Sequence, residues 1–266
     1  MSRIKEKFNE LEKRNEKALI SYIMLGFPNE KATISTVRGL VKGGADIIEL
    51  GFPFSDPLAD GPVIQNASTV SLEKGTNVSK FFNIVKKIRT ETEIPLVLMT
   101  YTNILHRMGY EKFIKDAKIA GIDGFILPDM SIEESKDYLK AAKNNADTIF
   151  LISPNTTKTR IDKIAKASSG FLYLVAVFGT TGVKTGIKNY TLKAIKNVKN
   201  QTKGKIPVGI GFGVSTPEDV KKYIKAGADA VIVGSAYLKL IEKTNPTDLE
   251  SKITTFTKSL KKQTKF

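Results

Sequence analysis

Short aliphatic runs alternate eight times with longer polar segments along this chain of 266 residues. The runs are rich in β-branched and aliphatic residues, whereas the polar segments carry apolar residues at the spacing of an amphipathic helix. This alternation is typical of repeated β–α units built around a parallel sheet. The predicted strands are 19–25, 45–50, 94–101, 122–127, 147–152, 171–177, 206–211 and 229–233. The predicted helices between them are 30–43, 79–90, 110–120, 132–145, 159–168, 190–200 and 217–226.

A phrase that recurs three times supports this count. GGADIIELG at 43–51, AGIDGFILP at 120–128 and AGADAVIVG at 226–234 each join a helix-ending glycine, an aspartate in a tight turn and a buried strand. Eight units in this length predict an α/β protein with a single (β/α)8 TIM barrel over 1–266, because such barrels have about 250 residues. The charged, amphipathic start of the chain predicts an extra N-terminal helix. A doubly wound open sheet is the alternative fold.

Composition narrows the chemistry and the location of the protein. There is no cysteine, which excludes disulfides, thiolate nucleophiles and cysteine-ligated zinc. No apolar run is long enough to span a bilayer, and the first residues lack the apolar core of a signal peptide, so we expect a cytoplasmic protein without membrane contact. The net charge of +15 leaves a nucleic-acid-binding protein as an alternative. Because the charge comes from scattered lysines without an arginine-rich arm, we prefer a solvated lysine-rich surface and expect no nucleic acid.

Two of the predicted loops that follow strands are unusually long. They cover roughly 52–78 and 178–189, whereas most such loops have about 2–6 residues. Long loops at the carboxyl ends of barrel strands commonly bind substrate or close over it. We therefore expect the functional site at this end of the barrel.

Two acidic residues at this end are the candidate catalytic groups. If side chains alternate along the second strand, Ile47 and Glu49 point into the barrel, with Glu49 nearest its mouth. A carboxyl group among aliphatic side chains has a raised pKa, and it can then both donate and accept a proton. Asp60, in the loop that follows, can fold back over the same mouth. The alternative for both residues is an ion pair or a loop cap, which is the preferred interpretation for Asp56.

Glycine-bearing turns follow the last two predicted strands. They lie in the segments GIGFGVSTPED at 209–219 and VIVGSAYLKL at 231–240, and each turn precedes a predicted helix. Thr216 or Ser215 is the predicted N-cap of the first of these helices, with Pro217 in its first turn. Free N–H groups at helix starts suit an anion, and the loops after strands 7 and 8 of TIM barrels frequently bind phosphate. The alternative is that these glycines only permit tight turns.

Several common catalytic groups are missing. His106 is the only histidine, which leaves no partner for a histidine triad or a histidine metal cluster. No lysine points inward from a predicted strand end, and no dinucleotide fingerprint opens the first unit. These absences favour a barrel without metal or cofactor that binds a phosphate ester and works by proton transfer between two carboxylates.

The segment 49–61, ELGFPFSDPLADG, closely resembles the signature of the tryptophan synthase alpha chain family, and the similarity continues into Pro62 and Gln65-Asn66-Ala67. Further matching segments follow in order along essentially the whole chain. They are 25–28, 128–129, 133–134, 181–182, 211–215 and 234–235.

The resemblance implies a lyase of tryptophan biosynthesis that cleaves indole-3-glycerol phosphate to indole and glyceraldehyde 3-phosphate by a retro-aldol reaction. By position, Glu49 would move protons between the glycerol hydroxyl and indole C3. Asp60 would hydrogen-bond the indole N–H and stabilise the positive charge that forms when C3 is protonated. The implied substrate-binding residues are Tyr22, Tyr173, Thr181, Gly182, Gly211, Phe212, Gly213, Ile232, Gly234 and Ser235. Among these, Gly182, Gly213, Gly234 and Ser235 would bind the phosphate, and Tyr22, Phe212 and Ile232 would line the indole pocket.

The resemblance also implies a partner, a beta chain that carries pyridoxal phosphate, in an α2β2 heterotetramer. The loops around Pro53, Asp56 and Asn103 would meet this partner, and the chain itself would need no cofactor. The sequence departs from the family pattern at Val175, where a second tyrosine is common, at Phe178, and at Ile104, where proline is usual. An alternative is a weakly active barrel that acts mainly by binding and activating its partner.

Overall fold

The computed structural model describes residues 1–175, 189–211 and 213–265. Within these ranges the strands are β1 Ala18–Met24, β2 Ile47–Gly51, β3 Leu96–Met99, β4 Gly124–Ile126, β5 Asp147–Ile149, β6 Leu151–Ile152, β7 Leu172–Val175, β8 Val208–Gly211 and β9 Ala230–Val233. The helices are α1 Arg3–Lys13, α2 Glu30–Gly43, α3 Pro62–Glu73, α4 Val78–Arg89, α5 Thr102–Met108, α6 Tyr110–Ala120, α7 Lys136–Ala142, α8 Lys158–Ala167, α9 Asn189–Thr202, α10 Pro217–Lys225, α11 Ser235–Lys243 and α12 Leu249–Lys261. None of these helices is both long and apolar enough to cross a membrane.

The strands form one parallel sheet in the order β5-β4-β3-β2-β1-β9-β8-β7-β6. Its two outer strands, β5 and β6, are consecutive in the chain and separated only by Phe150. The carbonyl of Phe150 accepts a hydrogen bond from the N–H of Tyr173 on β7 at 3.0 Å. One extended segment therefore pairs with β4 through its first half and with β7 through its second half, which closes the ring. The predicted (β/α)8 barrel with an extra N-terminal helix is confirmed, and the open sheet is wrong.

The three aspartates of the repeated phrase fasten neighbouring strands at the amino-terminal end of the barrel. Asp46, Asp123 and Asp229 each accept a hydrogen bond from a backbone N–H at the start of the preceding strand, at 2.7, 2.8 and 3.0 Å. Each carboxylate also pairs with a cation: these are Lys261, Arg89 and Lys199. The repeated phrase therefore encodes hydrogen bonds and ion pairs that join neighbouring strands at the end of the barrel opposite the predicted site.

The loop predicted over 52–78 is wrong in its second half, which contains helix α3. This helix begins at Pro62, directly after its N-cap Gly61, so the proline lies where its missing N–H costs nothing. Helix α5 was also not predicted, and the helix predicted over 132–145 shortens to α7. In contrast, the predicted bounds of α2 and α6 agree with the structure.

Candidate active site

Glu49 lies on β2 with its side chain inside the barrel, as the alternation predicts. It is 1% exposed, and neither carboxyl oxygen has a hydrogen-bond partner among the described residues. Burial, followed by the nearby charge of Asp60, raises its pKa to about 8. The carboxyl group is therefore mostly protonated near neutral pH, and no described residue forms the ion pair that was the alternative.

Asp60 brings a second carboxyl group to the same mouth from the loop between β2 and α3. It is 4% exposed, and its Oδ2 accepts a hydrogen bond from the hydroxyl of Tyr101 at 3.0 Å. Its Oδ1 is buried and has no partner in the described part of the chain. Burial raises its pKa to about 6, and the hydrogen bond from Tyr101 opposes that rise. The pKa values of the two carboxyl groups thus lie apart, which permits one acid and one base in a single site.

Two buried tyrosines face the interior around these carboxyl groups. Tyr22 pairs in register with Glu49, so both side chains point to the same side of the sheet. Tyr173 lies opposite on β7, and the pKa values of both phenols are raised well above the usual range by burial and by the two carboxylates. Glycine makes room for each ring, because a Cβ at Gly51 would overlap Tyr22 and a Cβ at Gly211 would overlap Tyr173.

Apolar side chains complete the described wall of the mouth. Ile232 on β9 pairs with the inward-facing Ile20 and is buried. Met99 pairs with Gly51, so it faces the interior as well. Met99 and Tyr101 lie in the predicted strand 94–101, but the sequence analysis assigns neither to the site.

The two glycine-bearing turns differ in how well the helix that follows each of them could bind an anion at its start. Helix α10 has Thr216 as N-cap, as predicted, but the carboxylate of Asp219 accepts from the N–H groups of Ser215 and Thr216 at 3.1 and 3.0 Å. The Asp219 carboxylate already places a negative charge at this helix start, which disfavours a second anion there. Helix α11 begins at Ser235 after Gly234, and no described side chain caps it.

Gly213 lies in the turn between β8 and α10, and Gly234 lies in the turn before α11. Gly213 has a φ of 80°, a conformation that glycine adopts readily. A Cβ at Gly234 would lie 3.2 Å from the ring of Tyr22, so the start of α11 adjoins the wall of the mouth. The start of α11 is thus the better candidate for a phosphate.

Comparison with known proteins identifies the family. The family model described as "Tryptophan synthase alpha chain" matches residues 8–265. The chain belongs to the tryptophan synthase alpha chain family. Its relatives include the tryptophan synthase alpha chain of Methanosarcina acetivorans, 46% identical over 91% of this chain and 88% of that protein.

Solved structures agree with this assignment. A protein from Aquifex aeolicus matches with a TM-score of 0.91 and 35% identity over the full length of both chains. A chain of the tryptophan synthase α2β2 complex of Pyrococcus furiosus matches with a TM-score of 0.85 and 34% identity, covering 92% of this chain and 98% of that one. The predicted carbon–carbon lyase class and the place in tryptophan biosynthesis are confirmed by the family.

Three of the predicted substrate-binding positions are not among the described residues. Thr181, Gly182 and Phe212 lie outside the described residues, as do Phe178 and the loop predicted from it up to residue 188. Val175, the last described residue before them, pairs with Gly211 and faces the interior.

The predicted partner contacts of this alpha chain lie outside the mouth. Asp56 and Asn103 are exposed, whereas Pro53 is buried and so shapes the loop from within. Leu58, between Asp56 and Asp60, is 85% exposed. Sequence reasoning missed Leu58, because a single leucine in a loop carries no periodic signal.

Proposed function

We propose that Glu49 and Asp60 together catalyse the cleavage of indole-3-glycerol phosphate to indole and glyceraldehyde 3-phosphate in this chain. The observation that supports this most directly is the pair of buried carboxyl groups at the barrel mouth, neither of which has a cationic partner in the described residues. A buried carboxyl group without compensation costs several kcal/mol, so its retention needs a functional reason.

Glu49 supplies the proton. Near neutral pH its raised pKa keeps it protonated, and it donates that proton to C3 of the indole ring. The resulting carboxylate then takes the proton of the glycerol hydroxyl on the carbon attached to C3. As that O–H bond breaks, a C=O bond forms, the C–C bond breaks, and its electron pair returns to the indole ring. Glu49 ends the cycle protonated, so no net proton is consumed.

Asp60 stabilises the intermediate. Protonation at C3 places positive charge on the ring nitrogen, and a carboxylate that accepts a hydrogen bond from this N–H stabilises the charge. The lower pKa of Asp60 keeps more of it ionised than Glu49 at the same pH. Asp60 therefore suits the role of anion, and Glu49 suits the role of acid.

The remaining substrate contacts follow the walls of the site. We assign the indole ring to the space beside Tyr22, Tyr173 and Ile232, where buried aromatic and aliphatic groups face the interior. The phosphate then lies at the start of α11, beside Gly213, Gly234 and Ser235. Gly211, Thr181, Gly182 and Phe212 are assigned to substrate binding by the family resemblance.

The chain would work in the cytoplasm with a beta chain. The structural relative from Pyrococcus furiosus belongs to an α2β2 complex that is described as mutually activated. We propose the same assembly here, with contacts through Asp56, Asn103 and the loop that Pro53 shapes. Pyridoxal phosphate would belong to the beta chain, and the alpha reaction would need only side chains of this chain.

One assay tests these roles. The purified chain is incubated with indole-3-glycerol phosphate, alone and with a beta chain, and indole or tryptophan is followed. Glu49→Gln is expected to abolish cleavage while substrate binding survives, and Asp60→Asn is expected to lower turnover severely. Glu12→Gln is the matched control, since this exposed carboxylate lies on α1, away from the mouth and from the predicted partner contacts. Glu49→Gln at near wild-type turnover would contradict the mechanism, and no product from the wild type with its beta chain would indicate a barrel that only activates its partner.

A further inference from the structure

Tyr101 connects the loop that carries Asp60 to the end of strand β3. Its hydroxyl donates a hydrogen bond to Oδ2 of Asp60 at 3.0 Å and accepts one from the N–H of Ala59 at 3.1 Å. Its ring stacks on Phe54, with centroids 4.9 Å apart and planes 25° apart. The Tyr101 side chain therefore makes three contacts with this loop: with the ring of Phe54, the backbone of Ala59 and the carboxylate of Asp60.

The rest of the loop is held by backbone contacts that do not reach the carboxylate. Ser68 on α3 exchanges two hydrogen bonds with the backbone of Phe54, at 2.8 and 2.9 Å. Gln65 donates to the carbonyl of Asp60 at 2.9 Å. Among the described residues, the only side chain that donates to the carboxylate of Asp60 is therefore Tyr101.

This hydrogen bond makes the two carboxylate oxygens of Asp60 different from each other. Oδ2 is held by Tyr101, whereas Oδ1 is buried and has no partner among the described residues. We propose that Tyr101 is a positioning residue for Asp60: it fixes one oxygen so that the other can accept the hydrogen bond of the substrate's ring N–H. This inference rests on the proposed role of Asp60.

The same contact keeps Asp60 in its charged form. A hydrogen bond donated to a carboxylate stabilises its ionised form and lowers its pKa, which opposes the effect of burial here. The other ionisable groups that interact with this pair are Glu49 on β2, Tyr22 on β1, Tyr173 on β7 and Asp129 after β4. None of these groups donates a hydrogen bond to Asp60 in the described structure. Without the Tyr101 hydroxyl, no hydrogen bond from a described side chain opposes the rise in the pKa of Asp60 that burial causes.

Tyr101→Phe tests the inference, because it removes the hydroxyl and keeps the ring that stacks on Phe54. We expect kcat to fall about 10- to 100-fold, the usual effect of losing one hydrogen bond to a charged group, with KM changed less than about threefold. The acidic limb of the profile of kcat/KM against pH is expected to move to higher pH. Tyr138→Phe is the matched control, since its hydroxyl is also buried but has no hydrogen-bond partner in the described structure and lies on α7. This control is expected to keep wild-type kinetics.

A double variant separates positioning from a general structural effect. If Tyr101 acts through Asp60, then Tyr101→Phe combined with Asp60→Asn is as slow as Asp60→Asn alone. A carbon-13 NMR titration of the Asp60 carboxyl group in the folded wild type and Tyr101→Phe measures the change of its pKa without activity. An additive loss of rate, or an unchanged pKa of Asp60, would overturn the inference even if Tyr101→Phe is slow.

These experiments distinguish a failure of the positioning role of Tyr101 from a failure of the proposed reaction. Wild-type kinetics in Tyr101→Phe, together with an inactive Glu49→Gln, would overturn the positioning role and leave the reaction standing. Full turnover by Glu49→Gln would instead remove the reaction on which the inference rests.

Discussion

The charge of Asp60 raises the pKa of Glu49 across the mouth of the barrel, in addition to the larger effect of burial. Two carboxylates that share one buried site do not ionise independently, so protons leave them in two steps that belong to the pair. The protein thereby obtains an acid and an anion from two groups of the same chemistry. Their different surroundings decide the roles: Glu49 receives no hydrogen bond from a described residue, whereas Asp60 receives one from Tyr101.

The first prediction is a bell-shaped profile of kcat/KM against pH. The reactive form has Asp60 ionised and Glu49 protonated, so the rate falls below about pH 6 and again above about pH 8. Asp60→Asn removes the neighbouring charge, and the basic limb of its residual activity is expected to move to lower pH. Steady-state assays between about pH 5 and 10 measure both limbs. A rate that still rises well above the pKa of Glu49 would contradict the need for a protonated Glu49.

The second prediction concerns the free energy of unfolding. The pKa of Glu49 rises from an ordinary value of 4.5 to about 8 on folding, so the folded protein binds this proton more tightly than the unfolded chain. Its contribution to stability is complete below pH 4.5 and is lost by roughly 1.4 kcal/mol for each pH unit up to about 8. Glu49→Gln cannot ionise and avoids this loss. We expect it to melt roughly 5 °C or more above the wild type at about pH 9.

Thermal unfolding scans at a series of pH values test this prediction. The difference in melting temperature between Glu49→Gln and the wild type should become smaller as the pH is lowered towards 4.5, the ordinary pKa of a glutamate. Glu133→Gln is a control of opposite sign, because Arg160 lowers the pKa of this exposed glutamate and the pair adds a little stability only above its pKa. A melting difference for Glu49→Gln that does not change with pH would show that the buried carboxyl group has no raised pKa.

The third prediction concerns the glycine beneath Tyr173. A Cβ at Gly211 would overlap the phenol, so Gly211→Ala must displace the ring from the wall of the site. We expect KM for indole-3-glycerol phosphate to rise roughly tenfold or more, since the indole loses that wall. Gly170→Ala is the matched control just before β7, the strand that carries Tyr173, because the nearest atoms there, on Ile149 and Asp147, would be 3.2 and 3.3 Å away and belong to no wall of the site. Equal KM values for the two variants would contradict the proposed role of this wall.

The sequence predicts the barrel and its central acid because local patterns determine both. Aliphatic alternation decides which side chain of β2 points inward, so the pattern alone is enough to place Glu49 inside the barrel. The link between Tyr101 and Asp60 could not be predicted, because it joins residues 41 positions apart through the path of an irregular loop. The start of α10 is a different case: Thr216 and Asp219 have the spacing of a capping box, so the return of the Asp219 carboxylate to the N-cap had a sequence signal that the prediction of an anion site passed over.

The fourth prediction concerns the partner surface. Leu58 is 85% exposed in the loop that also presents Asp56, and an exposed leucine between predicted contact residues is expected to be buried by the beta chain. Leu58→Ser should weaken the affinity for the beta chain about tenfold or more, because burial of a leucine side chain contributes roughly 1.5–3 kcal/mol. Isothermal titration calorimetry against the beta chain measures this loss.

The matched control for this surface is Ile119→Ser. Ile119 is 68% exposed near the end of α6, at the opposite end of the barrel from the loop. It is expected to leave the affinity unchanged, although it removes a similar apolar side chain from solvent contact. If both variants bind the beta chain as tightly as the wild type, the partner does not cover Leu58. If both weaken binding equally, the effect comes from general surface polarity, because the two side chains lie at opposite ends of the barrel and one docking face cannot cover both.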